Sequence, residues 1–317
     1  MVIVMGTQLY LLKNIATVLV ANLAFACFAA AQLNLAGGPS LEHSKSAPKP
    51  RVSELAHDWA PPDVDDKVPP TDASLECPLA RVLKSAGERA EELVYSLPKF
   101  AATEHMEHYQ ADKAGRWGRP HIVKFNYLVE MDKARNGMLV MNETRDGGHA
   151  LYKFPAHLAT LGLPAIAMVF HPYFGGEYDF QCEGMGKVDG FQAWQIHFQQ
   201  RPDKFPRLRA YRVGRMSFPL KLKGRAWIDA ETFQIVRIET DLVEPIPQID
   251  LKREHLTVDY RPVTFRKKNE ELWLQKSAEV FMDFRGHRYR RLHEFTNFLL
   301  FSVDVGESVK LPTGSQP

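Results

Sequence analysis

Apolar residues recur along this chain at two different spacings. In PLARVLKSAGERAEELVYSLP they fall at Leu79, Val82, Leu83, Ala86, Ala90, Leu93, Val94 and Leu97, the interval of one helix face. Arg81, Lys84, Glu88, Arg89 and Glu92 fill the other face. Pro78 suits the first turn and Pro98 closes the element. The spacing predicts an amphipathic helix with one buried stripe. From Phe100 the period changes to two. FAATEHMEHYQ reads as a strand, and HIVKFNYLVEM sets Val123, Phe125, Tyr127, Val129 and Met131 on one side. GMLVMNETR follows and stops at Asp146-Gly147-Gly148. HLATLGLPAIAMVFHPYF interrupts the alternation. It is apolar all round and predicts a short buried helix broken near Pro164.

After it, EYDFQCEGMGKV and FQAWQIHFQQ flank Asp189-Gly190, a hairpin by turn chemistry. RLRAYRVGRMSF, LKGRAWID, TFQIVRIETDL, REHLTVDY and EELWLQKSAEVFMDF continue the pattern. HRYRRLHEFTNFLLFSV follows across Arg285-Gly286. The sum is about ten or eleven strands and two helices, with no alternation of strand and helix, so a parallel sheet is excluded. The expected class is α+β, mostly β: one antiparallel sheet long enough that it must curl. With the helices on its concave side it forms a half-open barrel, and the groove between them is a usual place for an apolar ligand.

The flanks carry a different pattern. Ile15 to Ala31 is apolar except for Asn22, follows Lys13, and ends in Ala29-Ala30-Ala31 before Gln32. This predicts a signal peptide over 1–31 and an exported protein. A retained membrane anchor and a lipidated Cys27 are the alternatives. From Gln32 to Cys77 there is no sustained periodicity, and eight of the chain's 21 prolines lie between Pro39 and Pro78. Residues 32–77 therefore predict a linker or a wrapped extended arm, with Trp59 the one residue suited to docking. The folded domain spans 78–304, and 305–317 form a tail.

The segment GRAWIDAETFQIVRIET ends one strand at Trp227-Ile228-Asp229 and returns through Arg237-x-Glu239. Together with DGFQAWQIHF and ELWLQKSAEVFMDF it resembles the bacterial outer-membrane lipoprotein carrier superfamily, which includes a periplasmic envelope-stress sensor. The resemblance runs from about Leu79 to Val303. Leu274-Gln275 stands where the family usually has Leu-Pro. No position maps onto the carriers' lid-latching arginine, so lipoprotein carriage does not transfer. The resemblance implies the periplasm of a Gram-negative-type envelope. It also implies that Trp227 covers the sheet near a cavity mouth, with Arg237 and Glu239 forming charge pairs across one face.

Strand alternation gives Phe125, Tyr127, Trp194, Ile196, Phe198, Trp227, Val280 and Met282 as groove-lining residues. The expected function is non-catalytic binding of an apolar or amphipathic envelope ligand, a lipid or a lipidated protein. The alternative is a sensor or protein-interaction scaffold whose groove is filled by its own side chains.

Charge and chemistry adjust this picture only slightly. A formal net charge of +2 argues against nucleic acid as the main partner. Basic residues cluster between Arg201 and Arg225, in FRGHRYRR and in RPVTFRKK. Arg207, Arg209, Arg288 and Arg290 are the candidates for contact with an anionic membrane surface. The alternative is a solvated face with acids opposite.

No G-x-S-x-G, H-E-x-x-H or Walker loop is present, so no enzyme is expected. The glycines of GMGKVDG read as turn residues. His105 and His108 point to opposite faces of a strand, while His287 and His293 share one face but lack a third ligand. The acids of ETDLVEPIPQID read as a solvated loop. No metal and no cofactor is expected. Cys77 and Cys182 are a disulfide candidate in an exported chain; two separate buried thiols are the alternative.

Overall fold

The computed structural model describes residues 59–72, 74–96, 99–133, 139–145, 155, 158–213, 216–265 and 270–301. The expected leader, residues 32–58 and the C-terminal tail lie outside these residues.

The helix expected from the 3.6-residue spacing is α1, Leu79–Ser96. Three strands follow: β1 (Lys99–Gln110), β2 (His121–Lys133) and β3 (Leu139–Arg145). A 3-10 helix, Pro164–Phe170, and a one-turn helix α2, Pro172–Gly175, precede β4 (Tyr178–Val188) and β5 (Phe191–Gln200). The remaining strands are β6 (Ala210–Val213), β7 (Met216–Pro219), β8 (Leu222–Asp229), β9 (Ile235–Leu242), β10 (Leu251–Phe265), β11 (Glu270–Phe284) and β12 (His287–Leu300).

The protein is mostly β. Ten strands form one sheet in the order β3-β2-β1-β12-β11-β10-β9-β8-β5-β4. All of its pairings are antiparallel. The sheet is not closed, since β3 and β4 stand at its two ends.

Local chemistry fixes the hairpins. Asp189 and Gly190 both have positive φ (47° and 91°), as do Arg285 and Gly286 (52° and 72°). That pair of conformations matches the right-handed twist of the flanking strands. Between β8 and β9 the Asp229 Oδ1 accepts from both the amide and the hydroxyl of Thr232, each at 2.7 Å.

Alternation then sorts each strand into two faces. Val82, Ala86 and Ala90 of α1 and Ala165–Phe170 of the 3-10 helix belong to one buried cluster with strand residues such as Tyr127, Ile196, Ile238, Val258 and Val280. Full burial of each large apolar side chain contributes about 1.5–3 kcal/mol, so this cluster is the main source of stability. On the other face a smaller cluster joins Val188, Ala193, Trp227 and Val236. Residues 59–72 lie along that second face, with the Trp59 ring under the guanidinium groups of Arg253 and Arg288, 5.7 and 5.2 Å from its centroid.

Three elements differ from the pattern reading. Pro164 does not break a helix but starts one, at a position where a missing N–H costs nothing. Arg207–Phe218 is not one strand. β6 and β7 pair with each other, Ala210 opposite Pro219. β10 continues through Pro262 to Phe265. Its pairing with β9 ends at Asp259, so Pro262 leaves no ladder bond to β9 unmade.

Candidate functional site

Seven of the eight residues assigned to a groove lie on the same face of the sheet. The register sets Ala102 opposite Tyr127 and Glu104 opposite Phe125. It sets Trp194 opposite Ile228, Ile196 opposite Ala226 and Phe198 opposite Gly224. Val280 and Met282 face Arg291 and Tyr289. All seven are buried, the most exposed being Trp194 at 7%. Phe170 of the 3-10 helix meets Phe198 edge-on at 6.2 Å, and Tyr178 meets the same ring at 5.8 Å. Tyr127 packs against Phe295 at 5.0 Å. The eighth residue, Trp227, is on the opposite face, because it alternates with Ala226 and Ile228. It does not line the groove with the others; it covers the outer cluster with Val188, Ala193 and Val236.

The same inner face carries a network of buried charge that the pattern reading did not assign. Glu104, fully buried, accepts from Arg145 Nη2 at 2.8 Å and pairs with His293 Nδ1 at 2.7 Å. Glu143 accepts from the Tyr127 hydroxyl at 2.8 Å and from the Gly162 amide at 2.5 Å. Arg145 lies over the Tyr127 ring, 4.9 Å from its centroid. Arg291 donates to His108 Nδ1 (3.0 Å), Thr160 Oγ1 (3.0 Å) and the Pro155 carbonyl (2.9 Å). Arg209 donates to Glu254 at 2.6 Å, and the Tyr211 hydroxyl donates to the same carboxylate. Arg209 also donates to the Leu161 carbonyl at 3.3 Å, so residues from β1, β2, β3, β6, β10 and β12 are tied to Pro155 and residues 160–162.

Burial opposes every charge in this network, and the partners decide the outcome. Burial works against the Glu104 carboxylate, yet Arg145 and His293 hold it down to about 2. Burial and then the Arg291 charge push His108 down to about 3, so it is neutral and can accept from Arg291. Burial lowers His293 and raises Glu143. Burial also brings Arg291 down to about 10, still charged at neutral pH.

A signal for these residues exists in the sequence. Arg291 and His293 alternate in phase with Tyr289 and Phe295, and Glu104 and His108 alternate in phase with Phe100, Ala102 and Met106. Charge in phase with an apolar row marks a buried polar group.

The basic candidates do not form an open positive patch. Arg209 is buried against Glu254. Arg207 is held by Glu177 and lies over Tyr173. Arg290 is 8% exposed and donates to Glu279 at 2.5 Å. Arg288 rests on Trp59. Acids and aromatic rings near each arginine, invisible in a linear count of charges, account for the difference. Arg237 and Glu239 do not pair with each other: Arg237 reaches Asp259 at 2.7 Å and Asp189 at 3.0 Å.

A cleft of about 280 Å³ opens where α1 meets the ends of β9, β10 and β11. Ala90, Leu93, Ala167, Ile235, Leu272 and Trp273 give it apolar walls, and Arg89, Glu92 and Glu271 rim it. No group of three or more metal-ligating side chains occurs among the described residues. Cys77 and Cys182 are joined in a disulfide, Cα atoms 6.4 Å apart, which pins the start of α1 to β4.

No family model and no curated protein matches the chain. Among solved structures it is similar to a DUF1329 family protein from Desulfovibrio piger, with 12% identity, a TM-score of 0.38, and coverage of 74% of this chain and 96% of that one. It is also similar to a domain named as an outer membrane lipoprotein-sorting protein from Vibrio parahaemolyticus, with 9% identity, a TM-score of 0.34, and coverage of 72% and 95% respectively.

Proposed function

We propose that the protein is an exported, non-catalytic interaction or sensor domain of the bacterial envelope, built as a half-open barrel whose concave groove is filled by its own side chains. The observation that carries this reading is the burial of all seven residues, six of them in one cluster with the 3-10 helix and α1 and Phe125 in a small cluster with Met106. The buried ionic network supports it too. It ties six strands to Pro155 and residues 160–162, and the clefts of about 280 and 520 Å³ are both lined by other residues. A disulfide is consistent with an oxidising compartment.

Native mass spectrometry of protein purified from its own envelope tests the reading. The expected result is the bare mass of the chain. Trp194→Asp and Phe198→Asp should then act on stability, since each buries an unpaired charge at a cost of several kcal/mol.

The α1 cleft supports a second reading, in which an apolar ligand enters there and α1 moves to admit it. In that case wild-type protein carries a stoichiometric lipid. Leu93→Asp and Leu272→Asp remove the lipid while the melting temperature stays near that of wild type. A bare wild-type mass excludes this second reading.

A further inference from the structure

The outer face of β4, β5, β8 and β9 is shaped around an extended chain. Lys223 lies between two carboxylates of the arm, 2.6 Å from Asp63 and 2.5 Å from Asp65. His197 Nε2 meets Asp65 at 2.9 Å. Between the two acids, Val64 is 2% exposed, and its amide donates to Asp241 at 3.0 Å. Farther along, Arg225 donates to the Lys67 carbonyl at 3.5 Å, and Gln195 Nε2 to the Pro70 carbonyl at 3.3 Å. The Thr71 hydroxyl donates to the Glu183 carbonyl at 3.0 Å, and the Asp72 amide to the Met185 carbonyl at 2.7 Å.

Gly184 and Gly186 of GMGKVDG are part of this cradle. A Cβ on Gly184, at φ +124°, would lie 2.9 Å from Thr71 Cβ, and one on Gly186 would lie 2.1 Å from Gln195 Nε2, which donates to the Pro70 carbonyl, and 3.1 Å from that carbonyl. At Gly184 and Gly186 the missing side chain leaves room for the arm and for Gln195, while Gly190 is a turn residue as expected.

The hold on the arm is nonetheless light. Val64 is its one buried residue among 59–72, while Val68 is 54% exposed. Asp65, Asp66 and Lys67 also face solvent. Exposed ion pairs contribute little to holding a segment down. What is specific is the order of contacts: an acid, a buried apolar residue, a second acid, then two backbone carbonyls read by Arg225 and Gln195.

We propose that this face is a recognition groove for an extended, proline-containing protein segment with an Asp-x-Asp core, and that residues 63–72 occupy it in cis as a competing ligand. Charge complementarity to Lys223 and His197 and the space over Gly184 and Gly186 specify the partner's chemistry. A tethered segment competes at high effective concentration, so a free partner gains access only when the arm is displaced.

The test uses the full chain and a fluorescent peptide of residues 59–72. Wild type should bind the peptide weakly. The double variant Asp63→Asn, Asp65→Asn, whose own arm is loosened, should bind it at least ten-fold more tightly. Adding Lys223→Glu should abolish that binding, and a peptide with lysine at positions 63 and 65 should restore it.

Hydrogen exchange on wild type supplies a readout that needs no variant. Saturating peptide should accelerate exchange of the Val64 amide. The proposal is overturned if the loosened variant binds no more tightly than wild type, or if Lys223→Glu shows no preference for the lysine peptide. Unchanged Val64 exchange at saturation also overturns it. So does a concentration-dependent dimer of the loosened variant that the peptide cannot dissociate, which would assign the groove to the arm of a second copy.

Discussion

A buried arginine such as Arg291 is compensated by donors that reach a histidine, a threonine and a carbonyl at 2.9–3.0 Å. Remove an acceptor and the charge is stranded. Glu104→Gln should therefore cost about 3 kcal/mol, since it leaves Arg145 with only part of its compensation. Urea denaturation reads this directly, and a loss under 1 kcal/mol would show that the network is incidental.

The same residues predict an acid-labile fold. His108 is held near 3 when folded against 6.5 as a free side chain. The unfolded chain then takes up the proton first, and stability falls as pH drops from about 6.5 towards 3. Glu104, near 2 rather than 4.5, adds a second loss below about pH 4.5. Glu143, raised by burial, works in the opposite sense. His108→Asn keeps an acceptor for Arg291 without a titrating proton. Its stability should be flatter between pH 6.5 and 3, by up to about 1.4 kcal/mol per pH unit. Equal slopes in a series of urea midpoints would contradict the assignment.

This layer was only partly legible. Strand phase put Phe125, Tyr127 and Phe198 on one face. A linear sequence gives no account of the acid that Arg207 or Arg209 finds from another element.

Elements were easier to read than residues, for a physical reason. Asp189-Gly190 and Arg285-Gly286 carry their turn conformations in their own backbones, so the β4–β5 and β11–β12 hairpins need no tertiary knowledge. The α1 stripe is equally local. What escaped were elements decided by neighbours. β10 runs past Pro262 only because β9 has already stopped, and Arg207–Phe218 folds back on itself as β6 and β7.

The disulfide is the strongest constraint between elements. It closes a loop across a sequence separation of 105, for which chain entropy gives an upper value of about 4–5 kcal/mol. Cys182→Ser should lower the denaturation midpoint accordingly and leave the far-ultraviolet circular dichroism at 20–25 °C (about room temperature) unchanged. A midpoint equal to that of wild type would mean that native strain cancels the gain.

For the molecule as a whole, the ten-stranded sheet explains why a groove was expected, and the burial of the residues assigned to it is what motivates the filled-groove proposal. An open sheet of this length leaves one broad apolar face, and burying it takes more than α1 alone. The 3-10 helix supplies the rest, with all seven of its residues buried. The apolar run that broke the alternation was visible in the sequence. Its burial against sheet residues followed only from three-dimensional packing.

The path of the arm has a mechanical consequence. It crosses the outer face, meets the edge of β4 at Asp72 and Met185, and passes through Cys77 into α1 on the inner face. Tension applied from its N-terminal side would peel these contacts one after another, as a zipper yields, and would stop at the covalent link. Pulled between handles at Trp59 and Phe301, the oxidised protein should release about 60 Å of chain at low force, at about 3.5 Å per residue from Trp59 to Cys77, before any strand gives way. With the link reduced, that arrest should vanish and the load should pass straight into α1. In the oxidised protein, then, the arm would lengthen under load only as far as Cys77 while the sheet stays folded.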